Sequence, residues 1–340
     1  MKINNRVFAA ALAVAAMTAC TDEPEVSPSV EPESQAPAAD APPPVPAAQP
    51  DAGPGQLPDV IVIERGGFIP EGIEYDQTNE RFLVGSLAEG TVFEIAPDGT
   101  MTPVIEDADL VSSVGIEVDE ERNRLLVCNA DSSVFDPNAA GPGKAMLGIY
   151  DLATGERQAM IDLAAAVQDA PADARHFAND VAVGADGTAF VTDTMSNLVY
   201  RVGSDGQPTV LHRFEGMVQP NGIVYHDSGY LLVVGLGDGN LYKIPVDDPA
   251  SASQVTLPEP LEGGDGMIWI TDGRLGVVSN SQSRVIALES SDDWTTAEVV
   301  GTASFDGQGT TAAVANGDVF VVKPHFEDQD PPSIERVTFE

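Results

Sequence analysis

One seven-residue stretch, Gln219-Pro220-Asn221-Gly222-Ile223-Val224-Tyr225, constrains the fold more than any other because its pattern returns along the chain. It opens an alternating strand, which a Ser-Gly turn separates from the apolar run Tyr230 to Val234; the Gly-rich loop Gly235 to Gly239 then leads to Leu241 to Ile244. Period-two alternation bounded by turn clusters reads as most of a four-stranded antiparallel sheet. Aligned on Gly222, the unit recurs at Glu71-Gly72, Val114-Gly115, Asn179-Asp180 and Asp265-Gly266, with a weaker copy at Thr310-Thr311. The second residues fall at 72, 115, 180, 222, 266 and 311, in steps of 43, 65, 42, 44 and 45. A period near forty-odd residues with four short strands per period is the pattern of propeller blades, so the chain is expected to be all-β, a six-bladed β-propeller.

The residue that opens each copy carries the chemistry. In a propeller the first strand of each blade lines the central channel. Glu71, Val114, Asn179, Asn221, Asp265 and Thr310 should therefore form a ring at one mouth. Two carboxylates and two amides brought together without a cation would be unpaired polar groups in a confined space, which is costly. Glu71, Asn179, Asn221 and Asp265 are accordingly candidate metal ligands. An all-oxygen set without Cys or His suits Ca²⁺, with Mg²⁺ or Mn²⁺ open and Zn²⁺ disfavoured.

The order Glu, Asn, Asn, Asp at the first, third, fourth and fifth blades resembles the gluconolactonase, regucalcin (senescence marker protein) and paraoxonase-like family of six-bladed calcium propellers. The residues that carry it are Pro70-Glu71-Gly72, Phe177-Ala178-Asn179-Asp180, Gln219-Pro220-Asn221-Gly222-Ile223 and Asp265-Gly266. The resemblance implies a calcium-dependent hydrolase of lactones or related esters, in which the cation polarises the carbonyl. Asp265 would be both ligand and base, and Asp180 is the second candidate for a catalytic carboxylate or for tying down its own turn. The family's gluconolactonase members carry an Arg two residues before the Asn matching Asn179, where this chain has Phe177. The alternative is a non-catalytic, membrane-anchored propeller that binds a ligand or protein, with structural calcium.

Ahead of the repeats the composition changes. Lys2 and Arg6 precede an apolar run from Val7 to Met17, too short to span a membrane, and Thr18-Ala19-Cys20 resembles a bacterial lipoprotein cleavage site. Residues 1–20 read as a lipoprotein-type signal peptide with Cys20 as the lipidated residue, which implies a cell-envelope location, anchored and facing the periplasm or exterior. Residues 21–58 hold eleven prolines and seven acids with no Lys or Arg, a composition expected to stay a disordered tether. The propeller is assigned to 59–340, with Val60 to Ile63 closing the ring by pairing into the last blade.

A net charge of −38 argues against nucleic acid or anionic lipid as partner. The expected partner is a small-molecule lactone or ester, the membrane is reached only through the N-terminal lipid, and the chain is expected to be a monomer. With Cys20 set aside, Cys128 has no intramolecular disulfide partner and reads as a small core residue.

Strand direction alternates within a blade, so loops after each second strand face the same mouth as the ring. Asp193 and Asn280, at strand ends there, are candidate substrate contacts, as are His176, three residues before Asn179, and His325, after the second strand of the last blade. Two insertions in the second blade, Ala130 to Lys144 and Ala164 to His176, should rise beside the ring as a substrate wall or lid.

Overall fold

In the computed structural model, the residues described are 57–136, 138, 141–168, 170–171, 173–326 and 330–340. The expected signal peptide, Cys20 and nearly all of the expected tether lie outside them. Within them the strands fall into blades of four. A short N-terminal strand, β1 (Val60–Val62), stands apart, and the first blade is β2 (Pro70–Asp76), β3 (Arg81–Ser86), β4 (Val92–Ile95) and β5 (Met101–Ile105). The second is β6 (Ser112–Asp119), β7 (Arg124–Ala130), β8 (Gly143–Asp151) and β9 (Arg157–Asp162), and the third β10 (His176–Val183), β11 (Ala189–Asp193), β12 (Leu198–Val202) and β13 (Pro208–Arg213). The fourth holds β14 (Pro220–His226), β15 (Tyr230–Gly235), β16 (Leu241–Pro245) and β17 (Ser253–Val255). The fifth holds β18 (Gly264–Thr271), β19 (Arg274–Ser279), β20 (Arg284–Glu289) and β21 (Glu298–Ser304), and β22 (Ala312–Ala315), β23 (Asp318–Lys323) and β24 (Ser333–Val337) begin the sixth.

The ring closes as expected. β1 pairs antiparallel with β24, Val60 opposite Glu335 and Val62 opposite Ser333, and so becomes the outer strand of the sixth blade. Ile61 and Ile63 have no solvent exposure and pack with Phe82, Phe320 and Ile334 between the first and last blades. Closure removes the open sheet edges that a linear array would present.

The inner strands share one irregularity. In the first five blades the pairing of the first and second strands shifts register where the repeat opens: between Pro70 and Ile73, Ser113 and Ile116, Ala178 and Val181, Pro220 and Ile223, and Gly264 and Met267. A bulge takes the residue at that point out of the ladder and re-aims its side chain. The residue re-aimed is the one that opens each copy.

The glycine that follows lets neighbouring inner strands touch. A Cβ on Gly72 would lie 2.3 Å from the Val114 carbonyl oxygen, and one on Gly222 would lie 2.3 Å from that of Asp265. Both obstacles are backbone of the next blade, so no side-chain adjustment relieves them. The third blade carries Asp180 at this place. Its Oδ2 accepts from the Ile223 amide of the next blade at 3.1 Å, and its Oδ1 from the Val181 amide at 2.9 Å.

The two insertions of the second blade meet each other, which the repeat does not predict. Residues 143–144 pair in parallel with residues 176–177, joining the second blade to the third. Phe135 sits edge-on to Phe177 at 4.8 Å between centroids, and Arg175 donates to the Val134 carbonyl. Among the described residues no helix is long and apolar enough to cross a membrane.

Gly222→Ala is expected to cost about 1–3 kcal/mol in urea unfolding through overpacking against the fifth blade. Gly66→Ala, where an added Cβ meets nothing within 4 Å, should stay within about 0.5 kcal/mol of the parent.

Candidate metal and active site on the propeller axis

Glu71, Asn179, Asn221 and Asp265 are each buried at the bulged openings of their inner strands, as are Val114 and Thr310 at the openings of theirs; Asn221 hydrogen-bonds to Asp265, whose charge acts on Glu71. The circle is stitched by side chains that reach from blade to blade. Thr310 Oγ1 donates to the Glu71 carbonyl at 2.9 Å, joining the last blade to the first. Thr192 Oγ1 donates to the Asn221 carbonyl at 2.7 Å, and Thr194 Oγ1 donates to the Pro220 carbonyl at 2.8 Å. Thr194 Oγ1 also accepts from Asn179 Nδ2 at 2.9 Å, which commits the amide nitrogen and leaves Oδ1 as the end of Asn179 able to meet a ligand.

The electrostatics of the axis are one-sided. Burial raises the Asp265 carboxyl from its ordinary 3.8 to about 8; hydrogen bonding from Asn221 and Asn280 pulls against this, while repulsion from Asp180 adds to it. Burial, then the charges of Asp265 and Asp180, hold Glu71 well above the usual carboxylate range. Asp180 is pushed up by burial to about 7, against hydrogen bonds from the Ile223 and Val181 amides. Among the described residues, no Lys or Arg offsets any of these shifts.

The carboxylates continue beyond the ring. Glu74 and Glu117, three residues past the ring position in the first and second inner strands, line a cavity of about 220 Å³ together with Asp180, Gln77, Tyr75 and Trp269. Burial, and next the Asp180 charge, raise Glu74 to about 8; burial and then Glu74 hold Glu117 well above its ordinary value. Repeat alignment carries a signal for this pair. The matching place in the other blades is Ala182, Val224, Ile268 and Ala313, so two acids there stand out.

The candidate mouth residues have different fates. Asp193 is fully buried and its oxygens accept from His176 Nδ1 at 2.8 Å, the Phe177 amide at 2.9 Å, the Ser196 amide at 3.0 Å and the Tyr200 hydroxyl at 3.1 Å. It clamps the start of β10 and has little capacity left for a ligand. Asn129 does the same for the second blade, accepting from the Val111 amide and donating to the Asp109 carbonyl, both at 2.9 Å. His176 is buried, with Nδ1 also 2.8 Å from Ser196 Oγ. His325 adopts a positive φ of 54° and places Nε2 3.4 Å from Ser333 Oγ in the sixth blade. Asn280, almost fully buried, reaches Asp265 Oδ2 from Nδ2 at 3.4 Å and so joins the ring itself.

Among the described residues no group of three or more His, Cys, Asp or Glu side chains gathers to hold a metal, so amides are needed to complete a donor set here. Glu71, Asn179, Asn221 and Asp265 supply two carboxylates and two amides. Such hard oxygen donors, buried beside uncompensated negative charge, fit a hard divalent cation of the calcium type.

No protein-family model and no curated relative matches the chain. Solved structures do match it. The major allergen of Malassezia sympodialis has a TM-score of 0.70 at 17% identity, covering 83% of this chain and 97% of that one. A luciferin-regenerating enzyme reaches 0.58 at 14%, covering 82% and 94%, and a gluconolactonase of Xanthomonas campestris 0.56 at 17%, covering 83% and 89%. Gluconolactonases and luciferin-regenerating enzyme thus share this propeller fold, as the resemblance of the blade openings implies.

The raised carboxyls fix the sign of a pH effect. Glu74 stays protonated in the folded chain up to about 8 but ionises near its ordinary 4.5 when unfolded. Between those values the native state binds more protons, so stability falls as pH rises. In the presence of chelator, the melting temperature should therefore drop from pH 4.5 to pH 8. Glu74→Gln should melt several degrees above the parent at pH 8 and at the same temperature near pH 4, as followed by circular dichroism.

Proposed function

We propose that the chain is a calcium-dependent hydrolase of lactones or related esters, acting at the mouth ringed by Glu71, Asn179, Asn221 and Asp265. The observation that supports this reading is the bulge shared by five inner strands, at four of which one of these buried oxygen-bearing side chains stands. Calcium held there supplies a Lewis acid for the acyl carbonyl oxygen. The chain's own part is proton handling. Asp265, raised by burial and oriented by Asn221 and Asn280, takes a proton from water as the water oxygen bonds to the acyl carbon. It returns that proton to the leaving alkoxide as the acyl C–O bond breaks. The insertion residues held by Phe135, Phe177 and Arg175 form the wall against which a small substrate would sit.

A second reading, a non-catalytic ligand- or protein-binding propeller with structural calcium, draws on the carboxylates beyond the ring. Glu74, Glu117 and Asp180 take no part in the hydrolysis described, and a cation that offset them would serve the fold. The two readings separate in one set of assays on simple lactones and aryl esters. Hydrolysis predicts turnover that chelator abolishes and that Asp265→Asn lowers by about 10²–10⁴-fold, the usual share of a general base. Chelation that lowers the melting temperature, with no turnover on any substrate, selects the second.

The proposal includes anchoring to the cell envelope through acyl chains on Cys20. Metabolic labelling with a fatty acid should mark the parent chain, and Cys20→Ala should abolish the label and leave the protein in the soluble fraction.

A further inference from the structure

In four blades the residue just after the second strand donates its amide to the carbonyl two places before the ring residue of its own blade. The series is Leu87 to Ile69, Thr194 to Phe177, Leu236 to Gln219 and Asn280 to Gly263, at 2.9 to 3.1 Å. Ala130 holds the corresponding place in the second blade, opposite Ser112. The backbone thus puts five side chains in equivalent positions next to the ring. Three are apolar, and the polar pair is Thr194 and Asn280.

Thr194 and Asn280 make the same bridge. Thr194 joins its blade's ring residue, Asn179, to the Pro220 carbonyl of the next blade. Asn280 joins its ring residue, Asp265, at 3.4 Å to the Gly309 carbonyl of the next blade at 3.0 Å. The threonine does this with one hydroxyl, which accepts from one partner and donates to the other, so no side-chain polar atom is left without a partner. Asparagine uses only Nδ2, because both of its partners are acceptors. That also fixes the amide, since turning it over would set Oδ1 against two acceptor oxygens.

Asn280 Oδ1 is consequently stranded. It is fully buried and, among the described residues, has no hydrogen-bond partner. A buried carbonyl oxygen without a donor is costly, and the bridge alone needs no such oxygen, as Thr194 demonstrates. Oδ1 shares its carbon with the nitrogen that lies 3.4 Å from Asp265 Oδ2. We infer that Asn280 Oδ1 is a further protein ligand of the ring cation, added by the fifth blade from its second strand. The inference rests on the reading of the ring as a calcium site.

Asn280→Thr tests it, because the threonine hydroxyl keeps one donor for the Gly309 carbonyl, as Thr194 does for that of Pro220, and deletes the stranded oxygen. Calcium titration of the full chain by calorimetry should show binding weakened roughly tenfold or more in Asn280→Thr. In chelator the variant should melt no lower than the parent. Asn280→Ser, smaller and with the same hydroxyl, is read in the same way if the threonine variant does not fold. Equal calcium affinity in parent and variants overturns the role of Asn280 while leaving the ring reading intact. A parent chain that binds no calcium overturns both.

Discussion

The contact on which this molecule depends is backbone against backbone at the propeller axis. Inner strands of neighbouring blades come so close at Gly72 and Gly222 that a methyl group would intrude on a carbonyl of the next blade. That proximity and the bulge beside it are one device. The bulge lifts a residue out of the ladder, the glycine lets the strands close up behind it, and the lifted side chain has only the axis to face. The openings at 71, 179, 221 and 265 thus follow from sheet geometry, although nearly two hundred positions separate the first from the last.

The same crowding sets the electrostatics. Burial raises the proton affinity of Asp265, Glu71 and Asp180; the charge of Asp180 adds to the rise at Asp265 and Glu71, and reaches Glu74 and Glu117 along the channel. Asp180 occupies the hinge of this arrangement, anchored to the Ile223 amide of the next blade and coupled to carboxylates on both sides. A carboxylate at this position couples the mouth to the channel electrostatically, where a glycine would only let the strands pass.

The fold and its bulged blade openings were legible in the sequence for a steric reason. Close approach demands glycine at a fixed interval, and a repeated glycine is visible without coordinates. The pairs Glu74 and Glu117 were visible by the same alignment, yet strand alternation reads them as an ordinary polar face, and only the closed ring turns that face inward. The clamp made by Asp193 was not legible. Its role depends on which backbone amides come within reach, and the second-strand ends 86, 129 and 193 look alike in sequence as polar turn residues. The meeting of the two insertions, from residues 143–144 to 176–177, was hidden for a similar reason: neither segment carries a pattern that names the other.

The clasp formed by β1 has a mechanical consequence. Three residues of β1 pair with β24, backbone hydrogen bonds at Asp59 and Ile63 flank them, and Arg336 reaches back to the Leu57 carbonyl. Any tension applied on the N-terminal side of β1 is therefore delivered to the joint that keeps the circle shut, before it reaches any other blade. Peeling those three residues would turn a closed toroid into an open arc, and the ring residues of the first and last blades, linked by Thr310 and Glu71, would be the next pair pulled apart.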